Sequence, residues 1–238
     1  MLLRLAYPRI SAERRRTLMR WWSAKLLRIL GIEVRVRGPV PAAAQQGAMI
    51  AANHVSWLDI FLISSARPTR FIAKSEIRDW PAAGWIADKA GTIFIRRDQW
   101  RDTARINERV HAALAAGDCV GLFPEGITTE GDTLLKFHSA LFASSVANAA
   151  HVHPAAIRYE TREGILCREM SFAGDRSFTE SLALIIRQTG VVATVTFAAP
   201  IETAAASRRE VSTAARECVA SLLGLPNPHT PAGTGAGR

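Results

Sequence analysis

Seven short runs rich in aliphatic and β-branched residues alternate with helical patterns along this chain. That alternation restricts it to a layered α/β domain with a largely parallel central sheet flanked by helices. The strand candidates are 33–37, 48–52, 70–73, 92–95, 119–123, 152–158 and 191–197. Between them, residues 102–116 place Ile106, Val110, Ala113 and Leu114 on one helical stripe that stops at Gly117. Segments 139–149, 179–188 and 208–223 follow the same logic. Sites in such sheets gather at the carboxyl ends of the strands. His54 follows the second strand, Arg97 the fourth and Glu125 the fifth, so these side chains meet on one rim if those strands are neighbours.

The net charge of +9 is concentrated at one end. Residues 1–38 hold ten Lys and Arg against Glu13 and Glu33, while the other 200 residues hold twenty basic and nineteen acidic groups. A nucleic-acid reader needs basic residues spread over a surface, so a nucleic-acid partner is not expected. A basic end suits an anionic membrane surface. On a helix over 11–30, Leu18, Trp22, Leu26 and Ile29 form a stripe, with Arg16, Arg20 and Arg28 off it. Lys25 intrudes on that stripe with a stem that can lie along it. The adjacent Trp21 and Trp22 favour the headgroup region. No apolar run reaches the ~20 residues of a spanning helix, and charges interrupt any signal-peptide pattern.

We therefore expect a basic membrane-associating helix over 1–31, the α/β domain over 32–224, and a disordered Pro- and Gly-rich tail over 225–238. Cys119, Cys167 and Cys218 are widely spaced with no C-x-x-C or His/Cys ligand pattern. No metal is expected, and a reducing compartment fits cysteines used as small buried residues. Peripheral association with the cytoplasmic face of a membrane follows from these readings.

Chemistry is suggested first by Asn53-His54-Val55-Ser56-Trp57-Leu58-Asp59, which follows an apolar run. With a helix starting near Ser56, read as its N-cap, Asp59 can reach back to the His54 ring. A carboxylate accepting one ring N–H fixes the tautomer and leaves the other nitrogen basic. Such a base can activate a hydroxyl. The bland alternative is an Asp serving the first turn of a helix.

Further along stand Gly91-Thr92-Ile93-Phe94-Ile95-Arg96-Arg97, Phe123-Pro124-Glu125-Gly126 and Val152-His153-Pro154-Ala155. With the His54/Asp59 block, in this order and rough spacing, they resemble the four sequence blocks of the glycerolipid acyltransferases. That family includes the 1-acyl-sn-glycerol-3-phosphate acyltransferases, and the resemblance spans about residues 33–200.

The resemblance implies acyl transfer from acyl-CoA or acyl carrier protein to the free hydroxyl of a lysolipid, with no metal and no bound cofactor. His54 would take the hydroxyl proton and Asp59 would orient it, as in a Ser-His-Asp triad but with the hydroxyl supplied by substrate. Arg97 would bind the acceptor phosphate. Glu125 would hold basic groups or acceptor hydroxyls, and Gly126 would supply a tight turn whose N–H groups can face an oxyanion. Lys74 is a further candidate for phosphate or donor binding, against a solvated strand-end lysine. Trp80, Pro81 and Trp85 are candidates for an acyl groove, and His153-Pro154 for a turn that helps line it.

The chain departs from the family pattern at Arg96, where an acidic residue is usual, and in the third block. The third block usually continues Gly-Thr-Arg-Ser, and here it reads Gly126-Ile127-Thr128-Thr129. Thr128 thus stands where a second phosphate-associated arginine is usual. A hydroxyl can donate one bond to phosphate but brings no charge. The expected acceptor is 1-acyl-glycerol-3-phosphate, giving phosphatidic acid. The alternatives are lyso-ornithine lipid or another lysolipid, which a threonine-rich block resembles, and a non-catalytic lipid-binding protein on the same fold.

Overall fold

The computed structural model describes residues 11–42, 47–74, 84, 92–95 and 103–226. Its seven-stranded sheet comprises β1 (Glu33–Arg37), β2 (Met49–Ala52), β3 (Arg70–Lys74), β4 (Ile93–Ile95), β5 (Val120–Leu122), β6 (Val152–Glu160) and β7 (Val192–Phe197), in the order β1-β7-β6-β2-β5-β3-β4. Every neighbouring pair is parallel except β6 with β7. The expected α/β domain with a mostly parallel sheet is what forms, and each strand candidate is a strand.

Helices cover both faces. On one face lie α1 (Ala12–Ile29), α2 (Asp59–Ala66) and α5 (Phe178–Arg187); on the other lie α3 (Thr103–Ala115), the short α4 (Ala143–Ala147) and α6 (Arg208–Leu223). β2, buried at all four positions, faces both cores: Ile50 and Ala52 one way, Met49 and Ala51 the other. Helices on both faces demand such a two-sided apolar strand. Helix α2 reads Asp-Ile-Phe-Leu-Ile-Ser-Ser-Ala, with Asp59, Phe61, Leu62, Ile63 and Ser64 buried. A helix apolar around most of its circumference must be enclosed. Here α1 covers it from outside, so the N-terminal helix is packed into the domain.

That packing corrects the amphipathic stripe read from sequence. The inward residues of α1 are Leu18, Met19, Trp22, Ser23, Leu26, Leu27 and Leu30, while Ile29 points out with 65% of its surface exposed. Trp21, 53% exposed, also faces away. Ser11 caps α1, accepting from the Arg14 N–H.

Caps fix the other helix ends. Ser177 with Glu180 and Ser207 with Glu210 form reciprocal capping boxes at α5 and α6. Gly224, in the left-handed region at φ 66°, ends α6. The Leu225 N–H then folds back onto the Ala220 carbonyl and Leu225 packs on the core. Of the expected tail, 225 and 226 are described, and residues 227–238 lie outside the described residues. Gly121 has a different role, since an added Cβ would come within 2.4 Å of the Phe71 ring.

Candidate active site

β2 and β5 are neighbours, which brings the loops at their carboxyl ends together. After Ala52 the chain turns through residues 53–58 and enters α2 at Asp59. The side chain of Asn53 clasps β6: its Nδ2 donates to the Ile157 carbonyl and its Oδ1 accepts the Ile157 N–H, at 3.0 and 2.7 Å. The residue preceding His54 is thus pinned to a strand 104 positions later.

Asp59 is fully buried and reaches back over the loop it follows. Its Oδ2 accepts from His54 Nδ1 at 2.8 Å and from the backbone N–H groups of Val55 and Ser56 at 2.7 and 3.0 Å. Its Oδ1 accepts the Tyr159 hydroxyl at 2.7 Å. Four donors thus converge on one buried carboxylate. With Nδ1 committed to Asp59 and 22% of the side chain exposed, Nε2 is the His54 ring nitrogen that Asp59 leaves unengaged. The sequence pairing of His54 with Asp59 is therefore present in the geometry.

The route to that pairing differs from the expected one. Ser56 does not cap the helix: α2 begins at Asp59 with Leu58 at the cap position and no side-chain cap bond. Among the described residues the Ser56 hydroxyl is buried without a partner, and Asp59 reaches back to the N–H groups of Val55 and Ser56 in the loop that leads into the helix. An acidic side chain is favoured at that end of a helix.

Phe123-Pro124-Glu125-Gly126 follows β5 and lies against His54. The Phe123 ring stacks on the imidazole with centroids 3.9 Å apart and planes 7° from parallel. Phe71 of β3 stacks beneath Phe123 at 5.6 Å and 10°. The absent side chain of Gly121 leaves room for this column. Glu125, 3% exposed, accepts the His54 N–H on Oε1 and the Leu135 N–H on Oε2, both at 2.8 Å. Burial pushes its carboxyl above the usual range, with the two N–H donors opposing. Glu125 is therefore a backbone clasp within the site, where the sequence suggested an acidic partner for basic groups or acceptor hydroxyls. Gly126 turns at φ 78°, its N–H bonded to the Phe123 carbonyl. An L side chain would be strained in that conformation.

Thr128 also differs from its expected role. Its hydroxyl donates to the Phe172 carbonyl at 2.7 Å, so its proton is not free for a phosphate. The Phe172 N–H in turn bonds the Val55 carbonyl, and Thr129 N–H bonds the His54 carbonyl, both at 2.8 Å. The loops after β2 and β5 and segment 171–173 thus form one hydrogen-bonded rim around His54. His153 and Pro154 are not a turn: both lie inside β6, paired with Ile50 and Ala51 of β2. The Pro154 carbonyl accepts from Ala198 N–H, which keeps a residue without its own N–H useful in the strand.

Lys74 ends β3, and its side chain lies outside the described residues. So do Arg97 and its neighbour Arg96, Gly91, and the groove candidates Trp80, Pro81 and Trp85. Sequence reasoning did not find Asn53, Phe123, Thr129 or Tyr159 as contributors. Tyr159 carried a faint signal, since a tyrosine in an apolar strand usually finds a partner for its hydroxyl. Nothing local says that the partner lies 100 residues earlier.

Known proteins bear on this arrangement. The family model for the acyltransferase domain matches residues 33–158, the span from β1 into β6 that holds the His54/Asp59 pair and the Phe-Pro-Glu-Gly turn. The lyso-ornithine lipid O-acyltransferase of Pseudomonas aeruginosa is 39% identical over 215 residues, covering 90% of this chain and 81% of that protein. The 1-acyl-sn-glycerol-3-phosphate acyltransferase of Neisseria meningitidis is 43% identical over 148 residues, covering 62% of this chain and 58% of that protein. The crystal structure of the 1-acyl-sn-glycerophosphate (LPA) acyltransferase PlsC of Thermotoga maritima shares the fold, with a TM-score of 0.63 at 19% identity over 88% of this chain and 78% of that one. A His/Asp dyad on the carboxyl rim of a mostly parallel sheet, within a matched domain, has one reading: this chain belongs to the acyltransferase family.

Proposed function

We propose that this acyltransferase moves an acyl chain from a thioester, acyl-CoA or acyl carrier protein, to the free hydroxyl of lyso-ornithine lipid. His54 acts as the general base. The observation that carries the mechanism is the imidazole with Nδ1 held by buried Asp59 and its ring part-exposed. Nε2 takes the acceptor's hydroxyl proton as that oxygen bonds to the thioester carbonyl carbon. The C–S bond then breaks, and the departing thiolate takes the proton from the imidazolium. Asp59 stays ionised throughout and stabilises the imidazolium. No metal or bound cofactor is needed for these steps.

Two observations support the ornithine acceptor. The Pseudomonas relative aligns along nearly the whole chain. Thr128, standing where the family usually places a second arginine, spends its hydroxyl proton on the Phe172 carbonyl. The acceptor placed first on sequence alone, 1-acyl-glycerol-3-phosphate, becomes the second reading. It is favoured by the higher local identity to the Neisseria enzyme and by Arg97 in the second block.

The acceptor is a membrane lipid, and the outward face of α1 suits a lipid surface. There Arg14, Arg15, Arg16, Arg20, Lys25 and Arg28 are exposed beside Trp21 and Ile29. Among the described residues no helix is long and apolar enough to cross a membrane. Contact along one helix face is the arrangement proposed.

The test is transfer of a labelled acyl group from a thioester donor to each acceptor in mixed micelles. A kcat/KM at least tenfold higher for lyso-ornithine lipid is expected. Preference for 1-acyl-glycerol-3-phosphate would overturn the acceptor assignment and leave the mechanism standing.

A further inference from the structure

We propose that Tyr159 is a positioning residue for the reaction, acting on His54 through Asp59. Oδ2 of Asp59 serves three donors in the loop, His54, Val55 and Ser56. Oδ1 accepts from the Tyr159 phenol at 2.7 Å. Tyr159 is 1% exposed and sits two residues beyond Ile157 on β6, hence on the same face of the sheet. Asn53 holds Ile157 by both backbone groups, so the clasp beside His54 also sets the height of Tyr159 beneath Asp59. Burial and the adjacent Asp59 carboxylate keep the phenol protonated, its pKa pushed well above the ordinary value. The phenol is therefore a fixed donor.

This donor has a chemical consequence. A phenol bonded to Oδ1 draws charge from the carboxylate and fixes its plane. Asp59 then orients the imidazole through Oδ2 while its charge is shared with the phenol on Oδ1. Removing the hydroxyl leaves Oδ1 buried and unpaired and concentrates charge on the edge facing His54. The imidazolium is then stabilised and the base reaches its neutral, active form only at higher pH.

The proposal rests on His54 being the general base. The experiment is a set of pH profiles of kcat and kcat/KM for the full chain, Tyr159→Phe and His54→Ala, with thermal melts. For Tyr159→Phe we expect kcat lower by roughly tenfold, the worth of one hydrogen bond to a charged group. KM should change less than about twofold, and the acid limb of kcat/KM should move to higher pH.

Fluorination supplies a second probe if Tyr159→Phe folds poorly. The chain has two tyrosines, Tyr7 and Tyr159. Incorporating 3-fluorotyrosine into a Tyr7→Phe chain therefore alters Tyr159 alone, giving a more acidic phenol and a stronger donor. Its acid limb should move to lower pH, the opposite direction. A side chain that merely fills space would move neither limb in this signed way. An unmoved limb in the fluorinated protein, or unchanged kcat and limb in a folded Tyr159→Phe, overturns the proposal. Activity retained by His54→Ala would instead overturn the base assignment beneath it.

Discussion

Glu125 holds His54 by its backbone: Oε1 of the buried carboxylate accepts the His54 N–H at 2.8 Å, across 71 residues of sequence. Its other oxygen holds Leu135 N–H, so one side chain joins the loops after β2 and β5. Both partners are donors, which demands two acceptors. Glu125→Gln turns an NH2 group toward one of them. We expect a loss of about 1–3 kcal/mol of stability and, through the displaced His54 backbone, a kcat reduced more than tenfold. Chemical denaturation alongside steady-state kinetics checks both. A variant as stable and active as the parent would show that the clasp contributes nothing.

Gly121 acts on the base through two rings. A Cβ there would stand 2.4 Å from Phe71 Cε1 and 2.7 Å from Thr69 Cγ2, closer than atoms can pack. Gly121→Ala must displace Phe71, which stacks on Phe123, the ring stacked on His54. Overpacking of this kind costs about 1–3 kcal/mol, and kcat should fall with it. Phe71→Leu added to Gly121→Ala removes the clashing ring atom and should recover part of the stability. Additive losses in the double variant would contradict the column.

His153 makes stability pH-dependent. It is buried in β6 with neither ring nitrogen bonded among the described residues, and burial, with smaller contributions from His151 and Arg67, lowers its pKa from 6.5 to about 4. Below pH 6.5 the unfolded chain binds a proton that the folded ring refuses, so stability falls as pH drops. The loss accrues from pH 6.5 downwards, is complete only below pH 4, and amounts to roughly 3 kcal/mol. His153→Leu should flatten this part of the curve, whatever it does to stability at neutral pH. Parallel curves for parent and variant between those limits would refute the assignment.

The outward face of α1 predicts a separable membrane effect. Trp21 and Ile29 are exposed, and Lys25 lies over the Trp21 ring at 4.7 Å from its centroid. Replacing both apolar residues by serine should leave the melting temperature nearly unchanged, because neither is in the core. Sedimentation with vesicles rich in anionic lipid should fall severalfold. Undiminished sedimentation would remove α1 as the contact surface. Deleting the helix is a poor test, since α1 covers α2 and its loss would expose core.

Periodicity and caps made the scaffold readable. Helix 208–223 was legible to the residue from its apolar periodicity, and Ser207 with Glu210 and Gly224 are what fix those ends. β1 was equally clear. Reading failed where a residue's partner is distant. Ser56 looked like a cap because serine before a helix usually is one; here the helix starts three residues later, at Asp59, whose carboxylate bonds the Ser56 N–H and the Tyr159 hydroxyl from another strand. Pro154 looked like a turn because proline rarely sits inside a strand, and only the β6–β7 pairing shows how its carbonyl is used. The α1 stripe was misplaced by one residue at Ile29, since a basic helix carries apolar residues on two faces and only α2 decides which is inward. In the site, local spacing sufficed for His54 and Asp59. It could not distinguish a Glu125 that binds substrate from one that binds backbone.

The most direct test of the central claim is the rate of labelled acyl transfer from thioester to lysolipid by the full chain and by His54→Ala, at matched vesicle binding and thermal stability. With Nε2 as the base, the variant should lose roughly a thousandfold or more in kcat while folding and membrane contact persist. A folded, membrane-bound His54→Ala protein that transfers acyl groups within tenfold of the parent would contradict it.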